Sequence, residues 1–431
     1  MSLKAKRPIR WLLGTLGLVA GWAGLVFVVT SEGWFKTSLA PRGDTARFLA
    51  AAARLVDSAN AGNAVLALIE NGAVRGVHSA SVGQAVDTST VFQVASLSKW
   101  VTAWGVMTLV EAGKLDLDAP VERYLTRWKL PASRFDHAKV TVRRLLSHTG
   151  GLTDGLGYAG FEPGTPVQSI EASLTRTGDR PPGSGVSVRV GTEPGSDWQY
   201  SGGGYSILQL VVEEVSGEAF EDYLQRAVLR PLGMVSSTFQ WTPEAGTPIA
   251  TFYGADSKPA THYRFAAVAA ASLYTTVADL GRFIQAQVPG PAGEAAGRGV
   301  LSPAALAEMW KPNASKYGQD IWGLGVILYA PNPTGGYVVG HDGNNDPAIN
   351  TTARVNPATR NGIVMLETGS KLLATTVAGE WVFWETGKID NIAFLVALPK
   401  MLRWLGLGAL VIVVGAVGLA ARRWRPESGP A

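Results

Sequence analysis

The chain has 431 residues, of which 46% are hydrophobic and 17% charged, and a formal net charge of +4. It is long enough for one large core or two domains. It contains no cysteine, which excludes a disulfide framework, a thiolate metal site and a lipid-bearing cysteine. The five histidines, His78, His137, His148, His262 and His341, stand at no metal-ligand spacing from a Glu or a second His, so no metal or other cofactor is expected.

Lys4, Lys6, Arg7 and Arg10 precede an uncharged run from Trp11 to Ser31. About twenty apolar residues in a helix span the hydrocarbon core of a bilayer. A cleaved signal peptide has a shorter apolar region. Ser38-Leu39-Ala40 offers small residues for cleavage, but Pro41 follows at once, and an uncleaved anchor is the favoured reading. Gly14, Gly17, Gly21 and Gly24 fall on one helix face and suggest close packing, either against a second span or between two copies through Gly17 and Gly21.

Asp44 to Asp57 has the apolar stripe of an amphipathic helix, with Phe48, Leu49, Ala52, Leu55 and Val56 on one side. Two strand-like runs follow, Ala64 to Glu70 and Ala73 to Ser79. Asn71-Gly72 joins them and is a strong hairpin signal.

A strand-like run, Thr90 to Ala95, leads into Ser96-Leu97-Ser98-Lys99 and then a helical run from Trp100 to Val110. Residues i and i+3 share a helix face, so Lys99 can reach the oxygen of Ser96. A serine becomes a nucleophile when a neighbouring base takes its proton. Unpaired N–H groups at a helix start can hold the resulting oxyanion. In isolation the same four residues also fit an N-cap serine followed by a solvated lysine.

Further along, Leu145 to Leu152 reads as a short helix closed by a glycine turn. Thr177 to Ser196, rich in Gly and Pro, reads as a surface loop. Tyr205 to Glu214 and Phe220 to Leu229 read as helices. Thr276 is placed to cap a helix through Asp279 to Phe283. Strand patterns return at Gly323 to Tyr329, Tyr337 to Gly340, Asn350 to Val355 and Ile363 to Glu367, before a helical run from Leu373 to Trp384.

A second uncharged span, Trp404 to Ala421, precedes Arg422, Arg423 and Arg425. Basic flanks stay cytoplasmic. The expected organisation is a basic tail 1–10, a membrane helix 11–31, a linker 32–44, an outer domain 45–388, a juxtamembrane segment 389–403, a membrane helix 404–421 and a basic tail 422–431. The domain would lie outside the inner membrane of a bacterial cell. The tails carry seven positive charges against Glu427, which leaves residues 11–421 net acidic in a chain of +4. The basic balance therefore reflects membrane topology and gives no support to nucleic-acid binding.

Strands at both ends of the outer domain and helices between them predict an α+β fold. One antiparallel sheet is built from the two ends, flanked by helices, around a mainly helical insertion.

Several motifs in order resemble the serine β-lactamase and penicillin-binding-protein superfamily, and within it the class C β-lactamase-like, esterase and D-aminopeptidase branch. Ser96-Leu97-Ser98-Lys99 resembles its S-x-x-K. Leu145 to Leu152, LLSHTGGL, is similar to a family signature. Pro194 to Ser201, PGSDWQYS, is similar to the stretch that carries the Tyr of Y-x-N. Pro231-Leu232-Gly233-Met234 resembles the PLGM that follows, and His341-Asp342-Gly343 stands where the family has K-T-G or H-x-G. The resemblance covers roughly residues 45 to 385.

It implies that Ser96 attacks a carbonyl, that Lys99 and Tyr200 share the proton transfers as a coupled pair, and that the N–H groups of Ser96 and Asn344 form the oxyanion hole. His341 would line the cleft and contact the substrate or Tyr200, with Gly343 and Gly202 beside it. A nearby cation would favour the Tyr200 phenolate. His148 is expected to be structural, and Asp342 to stabilise a turn. Three departures stand out. Gly202 replaces an Asn whose amide binds the substrate carbonyl, His341 replaces a Lys, and Asn344-Asn345-Asp346-Pro347 is bulkier than the usual glycine-rich stretch.

The expected function is a membrane-anchored serine hydrolase acting on a small-molecule or peptide ester or amide, with esterase or D-amino-acid peptidase activity favoured over true β-lactamase activity. The alternatives are a penicillin-recognising sensor that deacylates slowly or not at all, and a domain that only binds partners.

Overall fold

The structure, a computed structural model, describes residues 3–154, 159–179, 185–242, 249–346 and 348–423. Pro347, the C-terminal residues from 424 onward and the centre of the loop expected at 177–196 lie outside them. The chain divides into two compact units, residues 39–386 and the two termini, 1–38 with 387–431.

After α1 (Leu3–Ser31) of the terminal unit, the larger unit opens with α2 (Thr45–Ala59). The Asp44 carboxylate accepts from the Arg47 N–H at 3.0 Å and caps α2. The hairpin β1 (Asn63–Glu70) and β2 (Ala73–Ser81) follows. Its turn places both Asn71 and Gly72 at positive φ, 52° and 79°, as a two-residue hairpin turn requires. Then come β3 (Phe92–Gln93), α3 (Ser98–Glu111), α4 (Val142–Leu146), α5 (Ile170–Thr175), α6 (Gly202–Ser216), α7 (Phe220–Leu224), α8 (Val268–Ala271), β4 (Tyr274–Thr275), α9 (Val277–Ala286) and α10 (Pro303–Met309). The unit closes with β5 (Ala314–Lys316), β6 (Gln319–Trp322), β7 (Ile327–Pro331), β8 (Tyr337–Asn345), β9 (Ile349–Asn356), β10 (Asn361–Thr368) and α11 (Leu373–Thr386).

Eight strands form one antiparallel sheet in the order β2-β1-β10-β9-β8-β7-β6-β5. The two ends of the unit meet where β1 pairs with β10, Asn63 opposite Thr368 and Ile69 opposite Gly362. The sheet assembled from distant segments, the flanking helices and the helical insertion are those anticipated from the strand patterns. The strand-like run before Ser96 is shorter than expected. Its strand is limited to Phe92 and Gln93, which pair with Thr275 and Tyr274. The β5–β6 hairpin at the far edge carries too little apolar alternation to be read from sequence.

The core lies between the sheet and the insertion. Trp100, Trp104 and Phe283 meet there, with ring centroids 5.0 Å apart for each Trp–Phe pair. The α3 helix is apolar on nearly all sides because it is enclosed on nearly all sides.

In the terminal unit, α1 (Leu3–Ser31) starts within the basic stretch, and α12 (Asn391–Arg423) takes in most of the segment expected as a juxtamembrane connector. Arg10–Ser31 and Ala397–Arg422 are long and apolar enough to cross a membrane. The two helices touch through an indole rather than through the glycine stripe. The Trp22 Nε1–H donates to the Trp404 carbonyl at 3.2 Å. A Cβ on Gly408 would lie 2.1 Å from the Trp22 ring, whereas one on Gly14, Gly17, Gly21, Gly24 or Gly415 would meet nothing within 4 Å. Packing of α1 and α12 through the stripe is therefore corrected: of these glycines Gly408 alone lies at the contact, where it receives the Trp22 ring.

Candidate active site

Ser96 sits in a single 3₁₀ turn, Ala95–Leu97, that runs directly into α3. The helix thus begins two residues later than the serine. Ala95 takes φ +47°, a left-handed conformation that an alanine adopts at a cost. The Ser98 hydroxyl braces the turn, donating to the Ala95 carbonyl at 2.6 Å and accepting from the Leu273 N–H at 2.9 Å.

One helical turn on, the Lys99 amine lies 3.1 Å from the Ser96 hydroxyl oxygen. It also donates to the Ala270 carbonyl at 2.8 Å. Lys99 is 2% exposed. Burial drives its pKa down to about 7, against a smaller opposing pull from Asp154. A lysine with that proton affinity is a neutral amine much of the time at neutral pH and can accept a proton.

Tyr200 comes from the loop before α6 and lies beside Ser96, which acts on its phenol. The Lys99 amine lies 4.9 Å from the centre of its ring. Ser96, Lys99 and Tyr200 are thus brought together. Burial raises the Tyr200 pKa well above its ordinary value, and Ser96 only partly opposes this. The phenol keeps its proton because removing it would leave an anion among aromatic rings.

Those rings are His148, Trp198 and Trp322. His148 packs on Tyr200 with centroids 4.4 Å apart. Its Nδ1 accepts the Ser201 N–H at 3.1 Å, so it fixes the residue next to the tyrosine. Trp322 meets both Tyr200 and His341, at 5.7 and 5.5 Å.

The cleft beside Ser96 has a volume of about 330 Å³, and its lining includes Lys99, Gly202, Phe265, Ala270 and Asn344. His341 is 2% exposed and packs edge-on against Trp322, with Nδ1 2.7 Å from the Asp342 carbonyl oxygen. Burial lowers its pKa to about 3, so the ring is neutral. Gly343 is likewise buried. A Cβ there would lie 2.0 Å from the Val94 carbonyl oxygen, so glycine allows β8 to press against the nucleophile turn. Asp342 stabilises no turn. It sits in β8 and accepts from buried Arg354 at 2.8 Å and from the Tyr329 hydroxyl at 2.7 Å. Asn344 stands on the rim, and its side-chain amide donates to the Lys371 carbonyl at 2.5 Å.

A nucleophile turn and a buried amine at one cleft, with a phenol ring beside the amine, are the groups that the order of motifs brings together, and the match with known proteins agrees. Residues 48–381 fit the family described as Beta-lactamase. The chain belongs to that family.

Among relatives of this β-lactamase-family chain, penicillin-binding protein 4 of Amycolatopsis lactamdurans is 30% identical over 282 residues, 62% of this chain and 70% of that protein. Esterase EstB of Burkholderia gladioli is 31% identical over 170 residues, 37% of this chain and 41% of the esterase. The octameric penicillin-binding protein homologue from Pyrococcus abyssi superposes with a TM-score of 0.64 at 23% identity, covering 81% of this chain and 80% of that one. The chain spans only 30% and 54% of the length of two further curated relatives.

Sequence reasoning assigned no role to Asp154, two residues beyond LLSHTGGL. Its carboxylate is buried, accepts the Gly203 N–H, and acts electrostatically on Lys99. The one signal in the sequence is the run Gly202-Gly203-Gly204 at a helix start, three residues in a row without a side chain.

Proposed function

We propose that the chain is a membrane-anchored serine hydrolase whose catalytic domain, residues 45–388, lies on the extracytoplasmic side and cleaves an ester or amide through acyl-Ser96. The observation that carries this reading is the buried Lys99 amine 3.1 Å from the Ser96 oxygen.

As Ser96 Oγ bonds to the substrate carbonyl carbon, its proton passes to Lys99. The carbonyl electron pair moves onto oxygen, where the Ser96 and Asn344 N–H groups receive it. The carbonyl re-forms, the bond to the leaving group breaks, and Tyr200 supplies the leaving group with a proton. The Lys99 ammonium then returns a proton to Tyr200. Water repeats the sequence on the acyl-enzyme and frees Ser96.

The cleft supports an uncharged acyl group. Phe265, Ala267, Ala270 and Ala271 line it, and Lys99 is the one cation among its described lining residues. Neutral His341 supplies no charge for a substrate carboxylate, which favours esterase or D-amino-acid peptidase activity over β-lactam turnover. The relative EstB is named an esterase. The basic residues flanking both apolar helices favour cytoplasmic tails.

A second reading, a penicillin-recognising sensor that deacylates slowly, is favoured by one observation: Gly202 puts no amide into the cleft. The test treats the full chain in detergent with a fluorophosphonate probe and a fluorescent penicillin, then follows loss of label. Ser96-dependent labelling with rapid turnover of p-nitrophenyl acetate supports the hydrolase. Persistent penicillin label supports the sensor. Absence of any Ser96-dependent label refutes both.

A further inference from the structure

The glycine run at the start of α6 has a physical reason. A Cβ on Gly203 would lie 2.6 Å from Asp154 Oδ2 and 2.4 Å from Val188 Cγ2. The missing side chain makes a chamber for a carboxylate. That carboxylate accepts the Gly203 N–H through Oδ2. Ser201 is itself the N-cap of α6, accepting the Gly204 N–H at 2.8 Å. The first turn of α6 is therefore held from beneath by a buried acid, and Tyr200 is the residue just before that cap.

We propose that Asp154 is a positioning residue of the active centre, a buried carboxylate that clamps the start of α6, and with it Tyr200, and acts as counter-charge to Lys99. The inference rests on the acyl-Ser96 reading above.

An acid fully removed from water needs a reason to stay charged. Asp154 has the Gly203 N–H and the charge of Lys99 in its favour. Burial opposes them and raises its pKa. The groups that face Lys99 are Ser96 on its own turn, Tyr200 and Tyr205 from α6 and its approach, His148 after α4, His341 on β8, and Asp154. Both histidines are held neutral by burial, and both tyrosines hold their protons. Asp154 is thus the one member of this set that can bear a negative charge at neutral pH. Its charge favours the Lys99 ammonium and disfavours the Tyr200 phenolate, so it moves both proton affinities upward. A lysine at this depth without a partner would lose its proton at lower pH and hold it less firmly once it had taken it from Ser96.

Two variants of the full chain separate the clamp from the charge: D154N keeps the shape and removes the charge, and D154E keeps the charge. The measurement is the pH dependence of kcat/KM for p-nitrophenyl acetate. In D154N the acid limb is expected to move down by about one pH unit, the size of effect one nearby opposite charge exerts. D154E should keep the wild-type limb even if kcat falls. If D154N does not fold, S201A serves instead. It leaves the charge in place but removes the cap that holds the first turn of α6 beside Tyr200, so kcat falls while the acid limb and KM stay. Limbs that coincide in wild type and D154N, or S201A at full kcat, overturn the proposal. A wild-type enzyme with no Ser96-dependent turnover overturns the underlying reading instead.

Discussion

Gly343 and Val94 approach so closely that the glycine could carry no side chain. A methyl group would lie 2.0 Å from the Val94 carbonyl oxygen and 2.4 Å from the Thr351 hydroxyl. Thr351 donates to the same Val94 oxygen at 2.9 Å. The sheet thus grips the residue before strained Ala95, and through it the turn that presents Ser96. G343A is expected to push this turn away from β8. Overpacking of this kind costs about 1–3 kcal/mol. The thermal midpoint should fall and fluorophosphonate labelling of Ser96 should fall further than the midpoint alone explains. Wild-type labelling in G343A would show that the grip has no bearing on the nucleophile.

Lys99 sets the acid side of the pH profile. Its free amine is the base, so kcat/KM should rise with pH through about 7. K99M keeps the length and apolar stem and removes the base. It should lose about 10²–10⁴-fold in acylation, the usual worth of general base catalysis. What remains should lack the limb near pH 7. A retained limb would assign it to another group.

Tyr200 should act as an acid rather than a base, because its phenol holds its proton through the neutral range. Y200F is expected to slow hydrolysis of alkyl esters, whose leaving groups need a proton, more than of p-nitrophenyl esters. Burst and steady-state kinetics on a series of leaving groups measure this. Equal losses across the series would remove the tyrosine from the leaving-group step.

Glu367 lies in β10, fully buried, and burial raises its pKa to about 8. The folded state therefore binds this proton more tightly than the unfolded one. The stability it brings is complete below about 4.5 and is lost as pH rises through about 8. A tenfold change in proton affinity is worth about 1.4 kcal/mol, so the loss amounts to a few kcal/mol. E367Q stays neutral and should keep its thermal midpoint across the range from about pH 5 to about pH 9 better than wild type. Parallel midpoint curves would show that Glu367 is not the source of the slope.

Gly202 gives the cleft no amide. G202N is expected to speed acylation by a fluorescent penicillin about five- to tenfold, the worth of one hydrogen bond of about 1 kcal/mol. Stopped-time gel labelling measures it. Unchanged acylation would place the carbonyl contact elsewhere in the cleft.

The parts of this fold that could be read in the sequence are those set by neighbours along the chain. Asn71-Gly72 announces its hairpin, Thr276 caps α9 by accepting the Asp279 N–H at 3.0 Å, and Ser96 meets Lys99 across one helical turn. The parts that could not be read depend on distant contacts. Depth decides that His341 is a neutral ring packed against Trp322. Asp154 matters through Gly203, far along the chain, and no local pattern joins them. The β5–β6 hairpin is held by its place at the edge of a sheet rather than by its own composition.

The hydrogen bond from Lys99 to the Ala270 carbonyl has one more consequence. A neutral amine has two hydrogens and one lone pair. With a hydrogen committed to that oxygen, the lone pair has fewer directions left, and Ser96 lies in one of them. The acceptor is a peptide oxygen, which every amino acid carries. Drift at position 270 can reshape the pocket for new acyl chains without misaiming the amine.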